Sequence, residues 1–265
     1  MEIKLKKTIQ ILIIIFAVLT HRSILGQNAL RNNILTYQMS DIAAAQCMQE
    51  QTILRISFQE HYFTKEMMTK GVGFNWAHKG NHLIAIIKHD GYAKFGTLET
   101  AIGYGRRFGD KFSISLLGIY VLSHATHYPT LHSWTINLSA FANLTENIWI
   151  AIDLYNPTHN KYLTQEGSYI PSRFLFQVGY VPNSKLGGSV FCNKELPAGL
   201  ELGLNLYYHP IEKLIFTGVF SSQQIGIHIQ TNWNRFICRV EASWNYKISS
   251  TTALEFYYQH AKQNP

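Results

Sequence analysis

Apolar side chains recur at every second position along most of this 265-residue chain. The clearest case is the segment from Ile225 to Gln230, where three isoleucines alternate with glycine, histidine and glutamine. Successive side chains of a β-strand point to opposite faces, so this period gives each strand one apolar face and one polar face. A bilayer needs only about 9–11 tilted residues per strand. The pattern therefore predicts a membrane-spanning β-barrel with a polar lumen.

Between Thr52 and Gln259 the alternation divides into about fourteen segments. We predict strands at 52–60, 70–78, 82–89, 94–107, 112–124, 133–142, 147–156, 169–180, 185–194, 199–208, 213–221, 224–232, 235–246 and 251–259. Even-numbered connections are short and rich in turn formers, whereas the longer linkers 61–69, 125–132 and 157–168 are all odd-numbered. Outer-membrane barrels have short periplasmic turns and longer extracellular loops. We therefore expect an all-β, antiparallel, up-and-down transmembrane barrel whose amino terminus is periplasmic.

The first residues have the form of a secretory signal peptide. Lys4, Lys6 and Lys7 precede an apolar run from Ile9 to Leu19, and the small residue Gly26 follows. This run is shorter than the roughly 20 residues of a spanning helix. We predict cleavage near Gly26, which makes residues 1–26 the signal peptide, and a location in the outer membrane of a Gram-negative bacterium, in contact with its lipids.

Residues 27–51 lack the alternation. The stretch from Asp41 to Ala45 has helical composition, with the aspartate placed as a cap. We predict a short plug-like or periplasmic segment here, followed by the barrel over residues 52–260 and a tail over 261–265.

Composition favours a lipid-facing wall over a soluble β-sandwich, because only 15% of residues are charged while 13% are aromatic. The formal charge of +7 includes four basic residues of the predicted signal peptide. No basic stripe remains, so we expect no nucleic-acid partner. Cys192 and Cys238 fall on the predicted lipid faces of separate strands and Cys47 precedes the barrel, so we expect free, buried thiols.

The phase of each strand predicts which side chains face lipid and which face the lumen. The lipid-facing set is Ile148, Ile150, Ile152, Leu154, Phe174, Phe176, Val178, Tyr180, Leu202, Leu204, Leu206, Cys238, Val240, Ala242 and Trp244. Aromatic residues near strand ends, suited to the headgroup level, are Trp134, Tyr180, Trp244, Tyr246 and Tyr258. The candidate lumen-lining residues are Glu99, Asn137, Asp153, Arg173, Gln177, Glu201, Asn205, His228, Gln230, Arg239, Glu241, Asn245 and Glu255. Within this set Arg239 and Glu241 share a face, and Arg173 and Glu201 could meet across strands, either to rigidify the lumen or to bind an anionic group.

Three segments carry a resemblance to known proteins: Tyr92–Ser123, Asn143–Pro157 and Ile225–Tyr258. Together they resemble an uncharacterised family of Bacteroidota outer-membrane β-barrels, which is similar to the FadL-like fatty-acid channels and to the PorV-type barrels associated with type IX secretion. The resemblance covers nearly the whole mature chain and rests on strand and turn patterns such as Arg107–Phe112. It implies a fourteen-stranded barrel.

Evidence for chemistry in the sequence is weak. His124, His127 and His132 share one loop and could in principle bind zinc or copper, but no carboxylate or cysteine is near. No G-x-S-x-G elbow is present, and Ser123 and His124 point to opposite faces. We predict no catalytic residue, no metal and no cofactor.

Three functions remain. The first is a passive, porin-like channel for small hydrophobic or amphipathic molecules. The second is a docking scaffold of the PorV type, with a secretion-system or surface protein as its partner. The third, a lipid hydrolase, would need a serine and a base assembled between strands.

Overall fold

The computed structural model describes residues 42–61, 67–162, 170–211, 213–246 and 249–261. The predicted signal peptide, most of the 27–51 segment and residues 262–265 lie outside these ranges. Within them, one short helix, α1 (Ala43–Gln46), precedes the strands. No helix in the described part of the chain is long and apolar enough to cross a membrane.

Fourteen antiparallel strands follow in the described ranges, and each pairs with its neighbours along the sequence. They are β1 (Gln51–His61), β2 (Met68–His78), β3 (Asn81–Tyr92), β4 (Phe95–Phe108), β5 (Phe112–Ala125), β6 (Leu131–Asn143), β7 (Ile148–Tyr155), β8 (Ser172–Tyr180), β9 (Leu186–Leu196), β10 (Gly199–Ile211), β11 (Leu214–Ser221), β12 (Gln224–Trp233), β13 (Phe236–Asn245) and β14 (Ser249–Ala261). β1 also pairs with β14, from Gln51 opposite Ala261 to His61 opposite Thr251, which closes the sheet. The predicted fourteen-stranded, all-β barrel is confirmed.

The two-residue period separates the inner and outer faces as the sequence predicts. On β12 the outward Ile225, Ile227 and Ile229 are 42%, 51% and 40% exposed, whereas Gln230, which points inward, is fully buried. A shift of one residue in register would exchange these two faces. The apolar pattern therefore fixes the orientation of each strand in the wall.

The two ends of the barrel differ in their connections. Lys79 and Gly80 join β2 to β3 with φ angles of 51° and 75°, and two successive positive φ values characterise the tight hairpin turn that matches strand twist. The other even-numbered connections lie at this same end, and α1 precedes β1 there. We call it the turn end and the opposite end the loop end.

Helix α1 lies inside the barrel at the turn end. Its Ala44 N–H donates to Ser139 Oγ at 2.9 Å, and Ser113 Oγ donates to the Ala44 carbonyl oxygen at 2.6 Å. Arg107 Nη1 donates to the Met48 carbonyl oxygen at 3.2 Å. Because β4, β5 and β6 all contact the helix through their inward faces, α1 partly fills the lumen.

An apolar cluster completes this seat. The buried residues of the helix segment pack against inward side chains of four strands and one turn, namely Phe141, Trp149, Ala151, Val181, Tyr207 and Ile215. Ile42 occupies the position before the helix and its side chain makes no capping hydrogen bond, whereas Asp41, the predicted cap, lies outside the described residues. Burial of Ile42 in this cluster positions the single helical turn instead.

The outer wall carries a nearly continuous apolar surface. Trp134, Trp244 and Tyr246 are exposed near the loop end, and Tyr180 is exposed near the turn end. All three cysteines are free. Cys47 is buried as expected, but Cys192 and Cys238 are only half-buried, because side chains on a barrel's outer face have neighbours on one side only.

Candidate functional site in the barrel lumen

The lumen contains a cavity of about 710 Å³. Its lining extends from Gln59 and Thr69, near the loop end, to Ala43 and Gln46 of α1. The helix thus forms part of the cavity floor. Small-molecule sites in proteins typically measure about 300–1,000 Å³, so this volume suits a small ligand.

One part of the cavity wall is hydrocarbon. We define the apolar patch as the inward side chains of β3, β4 and β5 that line the cavity, namely Ile84, Ile86, Ala101, Leu117 and Ile119. Tyr155 and Tyr162 pack against the same cluster. The patch offers a contact surface for an alkyl or aromatic group.

Another part of the wall is a charged network formed by β1, β12, β13 and β14. Arg239 lies 3.6 Å from Glu255 (Nη1 to Oε2) and also forms an ion pair with Glu241. It donates to His228 Nδ1 at 2.9 Å, so this ring nitrogen is an acceptor. Arg55 pairs with the other oxygen of Glu255. Mutual pairing compensates the desolvation of these buried charges.

A second ion pair joins β7 to β8. Arg173 Nη2 lies 3.2 Å from Asp153 Oδ2, and Asn137 Nδ2 donates to Asp153 Oδ1 at 2.9 Å. Asp153 is fully buried. Arg173 therefore pairs with Asp153, not with Glu201 as the sequence suggested.

Glu201 on β10 has only neutral partners. Ser221 Oγ donates to Oε1 at 2.6 Å, and Asn193 Nδ2 donates to Oε2 at 3.4 Å. The residue is 9% exposed and lines the cavity.

Glu99 on β4 lies beside the apolar patch. It accepts a hydrogen bond from the Tyr155 hydroxyl at 3.3 Å. Tyr162, in the connection between β7 and β8, is close enough that burial, followed by the Glu99 carboxylate, raises its pKa. The Tyr162 hydroxyl is therefore retained in its neutral form beside Glu99, and Tyr155 lines the cavity.

The sequence-predicted lumen residues occupy three kinds of position. Those that line the cavity are Glu99, Asn137, Arg173, Gln177, Glu201, Asn205, His228, Arg239, Glu241 and Glu255. Asp153 and Gln230 are fully buried behind this surface. Asn245 ends β13 at the loop end, away from the cavity lining.

The apolar patch was missed because only polar side chains were selected as lumen candidates. A signal for it exists in the sequence. The segments Leu83–Ile87 and Leu116–Val121 are apolar on both faces, whereas β12 alternates strictly. Apolar side chains on both faces indicate a strand whose two sides are both covered by hydrocarbon.

The histidine loop brings no ligand set together. The His124 ring lies 6.5 Å from the His89 ring, and the His132 ring lies 6.4 Å from the Tyr120 ring. Within the described ranges, no group of three histidine, cysteine or acidic residues is placed to hold a metal ion.

Comparison with known proteins identifies the fold. No family model matches the sequence, and no curated protein matches it either. Among solved structures, the toluene transporter TbuX from Ralstonia pickettii aligns with a TM-score of 0.61 at 10% identity, covering 83% of this chain and 92% of TbuX. The monoaromatic hydrocarbon channel CymD aligns with a TM-score of 0.57 at 8% identity, covering 88% and 94%. The P. putida toluene transporter TodX aligns with a TM-score of 0.56 at 6% identity, covering 81% and 89%.

The chain is thus a closed fourteen-stranded antiparallel barrel with a ligand-sized, partly apolar and partly charged interior. Its fold is the one seen in these three hydrocarbon channels.

Proposed function

We propose that this protein is an integral outer-membrane barrel that passes small hydrophobic or amphipathic molecules by passive diffusion. The observation that carries the proposal is the cavity itself, where the apolar patch and a charged wall share one volume of about 710 Å³. A molecule with one apolar and one polar part finds a complementary surface for each.

The outer surface supports insertion in a bilayer. Leucine, isoleucine and valine side chains remain exposed in the middle of the strands, for example Ile102 at 72% and Leu202 at 54%. Water would oppose such a surface on a monomer, whereas lipid favours it. Aromatic side chains near both ends would lie at the headgroup level.

The fold neighbours agree with the proposal in kind, because all three are described as transporters or channels for aromatic hydrocarbons. We propose small amphipathic solutes as the wider substrate class because the lumen is also charged.

The test is uptake of the fluorescent hydrophobic probe N-phenyl-1-naphthylamine by intact Gram-negative cells that express the barrel. Ala253 lines the cavity, whereas Ala242 on the adjacent strand points outward and is exposed. We expect Ala253→Trp to slow uptake to the level of cells without the protein, and Ala242→Trp to leave it unchanged. Equal uptake by wild type, both variants and cells without the protein would refute a lumenal route.

A second candidate is a docking scaffold of the PorV type, which the position of α1 in the lumen favours, because a scaffold functions with a filled interior. The scaffold hypothesis predicts that cells take up no more probe with the barrel than without it, although heat-modifiable migration shows that the barrel is folded. Crosslinking from the loop end would then capture a secretion or surface protein.

A further inference from the structure

The basic side chains that line the cavity are all engaged in ion pairs. Four such residues line it, and each lies within ion-pair distance of a carboxylate: Arg55 with Glu255, Lys88 with Asp90, Arg173 with Asp153, and Arg239 with Glu241. An anionic ligand would have to compete with these carboxylates.

The lining carboxylates are less completely neutralised. Glu99, Glu195 and Glu201 all line the cavity, and none of them forms an ion pair with a basic side chain of the described residues. The cavity therefore carries excess acceptor capacity and excess negative charge.

Glu201 is the most enclosed of the three. Only 9% of the residue is exposed, and its two oxygens accept hydrogen bonds from the neutral donors Ser221 and Asn193. Ionised carboxylates are costly to bury without a counter-charge. A cation arriving from the cavity would supply that charge.

The surroundings of Glu201 suit the substituents of an organic cation. Asn193 lies opposite Glu201 in the ladder, and its Oδ1 is buried without a hydrogen-bond donor. Phe191, the next inward residue on β9, lines the cavity, and its ring lies over Gly203, where any Cβ would overlap it. A carboxylate, an amide oxygen that lacks a donor and an aromatic ring are thus neighbours on two adjacent strands, and these are the groups that an ammonium group prefers.

Hydrocarbon is available to the remainder of such a molecule. Leu175 pairs with Asn193 in the ladder and lines the cavity next to Phe191. In the closed ring of fourteen strands, β10 is seven strands away from β3, which carries part of the apolar patch. An alkyl part anchored at Glu201 thus has Leu175 on the same wall, and the apolar patch lies on the opposite wall of the same cavity.

We propose that Glu201 anchors the ammonium group of amphipathic organic amines in the cavity, with Asn193 as a second acceptor and Phe191 over the cation. The inference rests on the proposed channel function and narrows its substrate class to protonated primary amines with a short alkyl or aryl part.

The test is calorimetric binding to the full chain, purified from outer membranes into lipid nanodiscs, with empty nanodiscs subtracted. The probes are n-hexylammonium, n-hexanoate and 1-hexanol, which share an alkyl chain and differ in charge. We expect n-hexylammonium to bind about tenfold more tightly than n-hexanoate, as a charge-assisted hydrogen bond requires. Glu201→Gln should reduce its affinity about tenfold, to the level of 1-hexanol.

The control is Glu146→Gln, which removes the same charge from an exposed turn outside the cavity and should leave all three affinities unchanged. Should Glu201→Gln fail to fold, Glu201→Asp retains the carboxylate and should preserve the preference for n-hexylammonium over n-hexanoate. Equal binding of the cation and the anion by wild type, or unchanged binding of n-hexylammonium by a folded Glu201→Gln, overturns the proposal.

The two proposals fail separately. Equal probe uptake by cells with and without the barrel, from a protein that still binds n-hexylammonium, counts against the channel. If Ala253→Trp blocks probe uptake but calorimetry shows no preference for n-hexylammonium over n-hexanoate, the channel is supported and the amine site at Glu201 is refuted.

Discussion

Gly105 on β4 controls how closely α1 can approach the barrel wall. A Cβ added to this inward residue would overlap the Cys47 sulphur, which is fully buried against it and donates to the Ala43 carbonyl oxygen at 3.2 Å. Gly105→Ala is therefore expected to push α1 from its seat while leaving the backbone ladder of β4 intact. The accessibility of the Cys47 thiol measures this displacement.

The magnitude follows from what the helix segment buries. Ile42 and Met48 are 2% and 8% exposed, and burial of such a side chain contributes about 1.5–3 kcal/mol, so the two hold the segment by about 3–6 kcal/mol. The seat then opens in about one molecule in 10² to 10⁴. Overpacking costs about 1–3 kcal/mol, so Gly105→Ala should raise the open fraction about 5-fold to 150-fold.

The assay is alkylation by iodoacetamide, followed by intact-protein mass spectrometry. Cys192→Ser and Cys238→Ser in the background leave Cys47 as the sole thiol of the chain. The matched control is Gly73→Ala on β2, because a Cβ there meets Arg55 Cβ at an ordinary 3.8 Å. Both variants must retain heat-modifiable migration.

A folded Gly105→Ala protein that is alkylated as slowly as wild type and Gly73→Ala would refute the seating of α1 against β4. Rapid alkylation of wild type, at the rate of the urea-unfolded chain, would refute it as well.

Three further predictions concern the same interior. Burial raises the pKa of the Cys47 thiol from 9.0 to about 12, so the seated helix loses stability as pH rises from about 9 toward 12. The alkylation rate should therefore continue to rise above pH 9 in the folded protein, whereas it should level off near pH 9 in urea. A rate that levels off at the same pH in both conditions would contradict this. Arg239→Met should destabilise the barrel by about 3–5 kcal/mol, measured as the urea midpoint, because it removes the counter-charge that the buried Glu255 and the half-buried Glu241 share. A second change, Glu255→Gln, should restore part of the loss, and an unchanged midpoint in the single variant would refute the network's role. Trp149→Ala should lower the free energy of unfolding by about 3–5 kcal/mol, because the fully buried Trp149 ring packs on Phe141 with 5.9 Å between the ring centroids. Trp244→Ala, on the exposed outer face, should lower it less in detergent micelles. Equal losses of unfolding free energy would show that lumen packing is not what stabilises the barrel.

Much of the architecture was predictable because its physical cause is local. Strand β12 shows this, because the alternation of Ile225, Ile227 and Ile229 with more polar residues defines both the strand and its two faces. The turn at Lys79 and Gly80 was likewise visible as a short, turn-forming connection. Arg239 and Glu241, two residues apart on one strand, meet as that spacing implies.

The lumen was less predictable because its contacts join residues that are distant in sequence. Arg173 lies 20 positions from Asp153, its observed partner, and which inward carboxylate it reaches depends on the pairing register of β7 with β8. The apolar patch was also missed, although runs that are apolar on both faces of β3 and β5 could have indicated it.

The sequence by itself therefore determined the number of strands, the two faces of each strand and which connections are short turns. These features depend on a two-residue period and on the conformational preferences of adjacent residues. Only the tertiary structure decided where α1 lies, which charges are paired, and that the inward Glu201 has neutral partners alone. Closure of β1 onto β14 sets these contacts, because the distance between two inward side chains on different strands depends on the register accumulated around the whole ring.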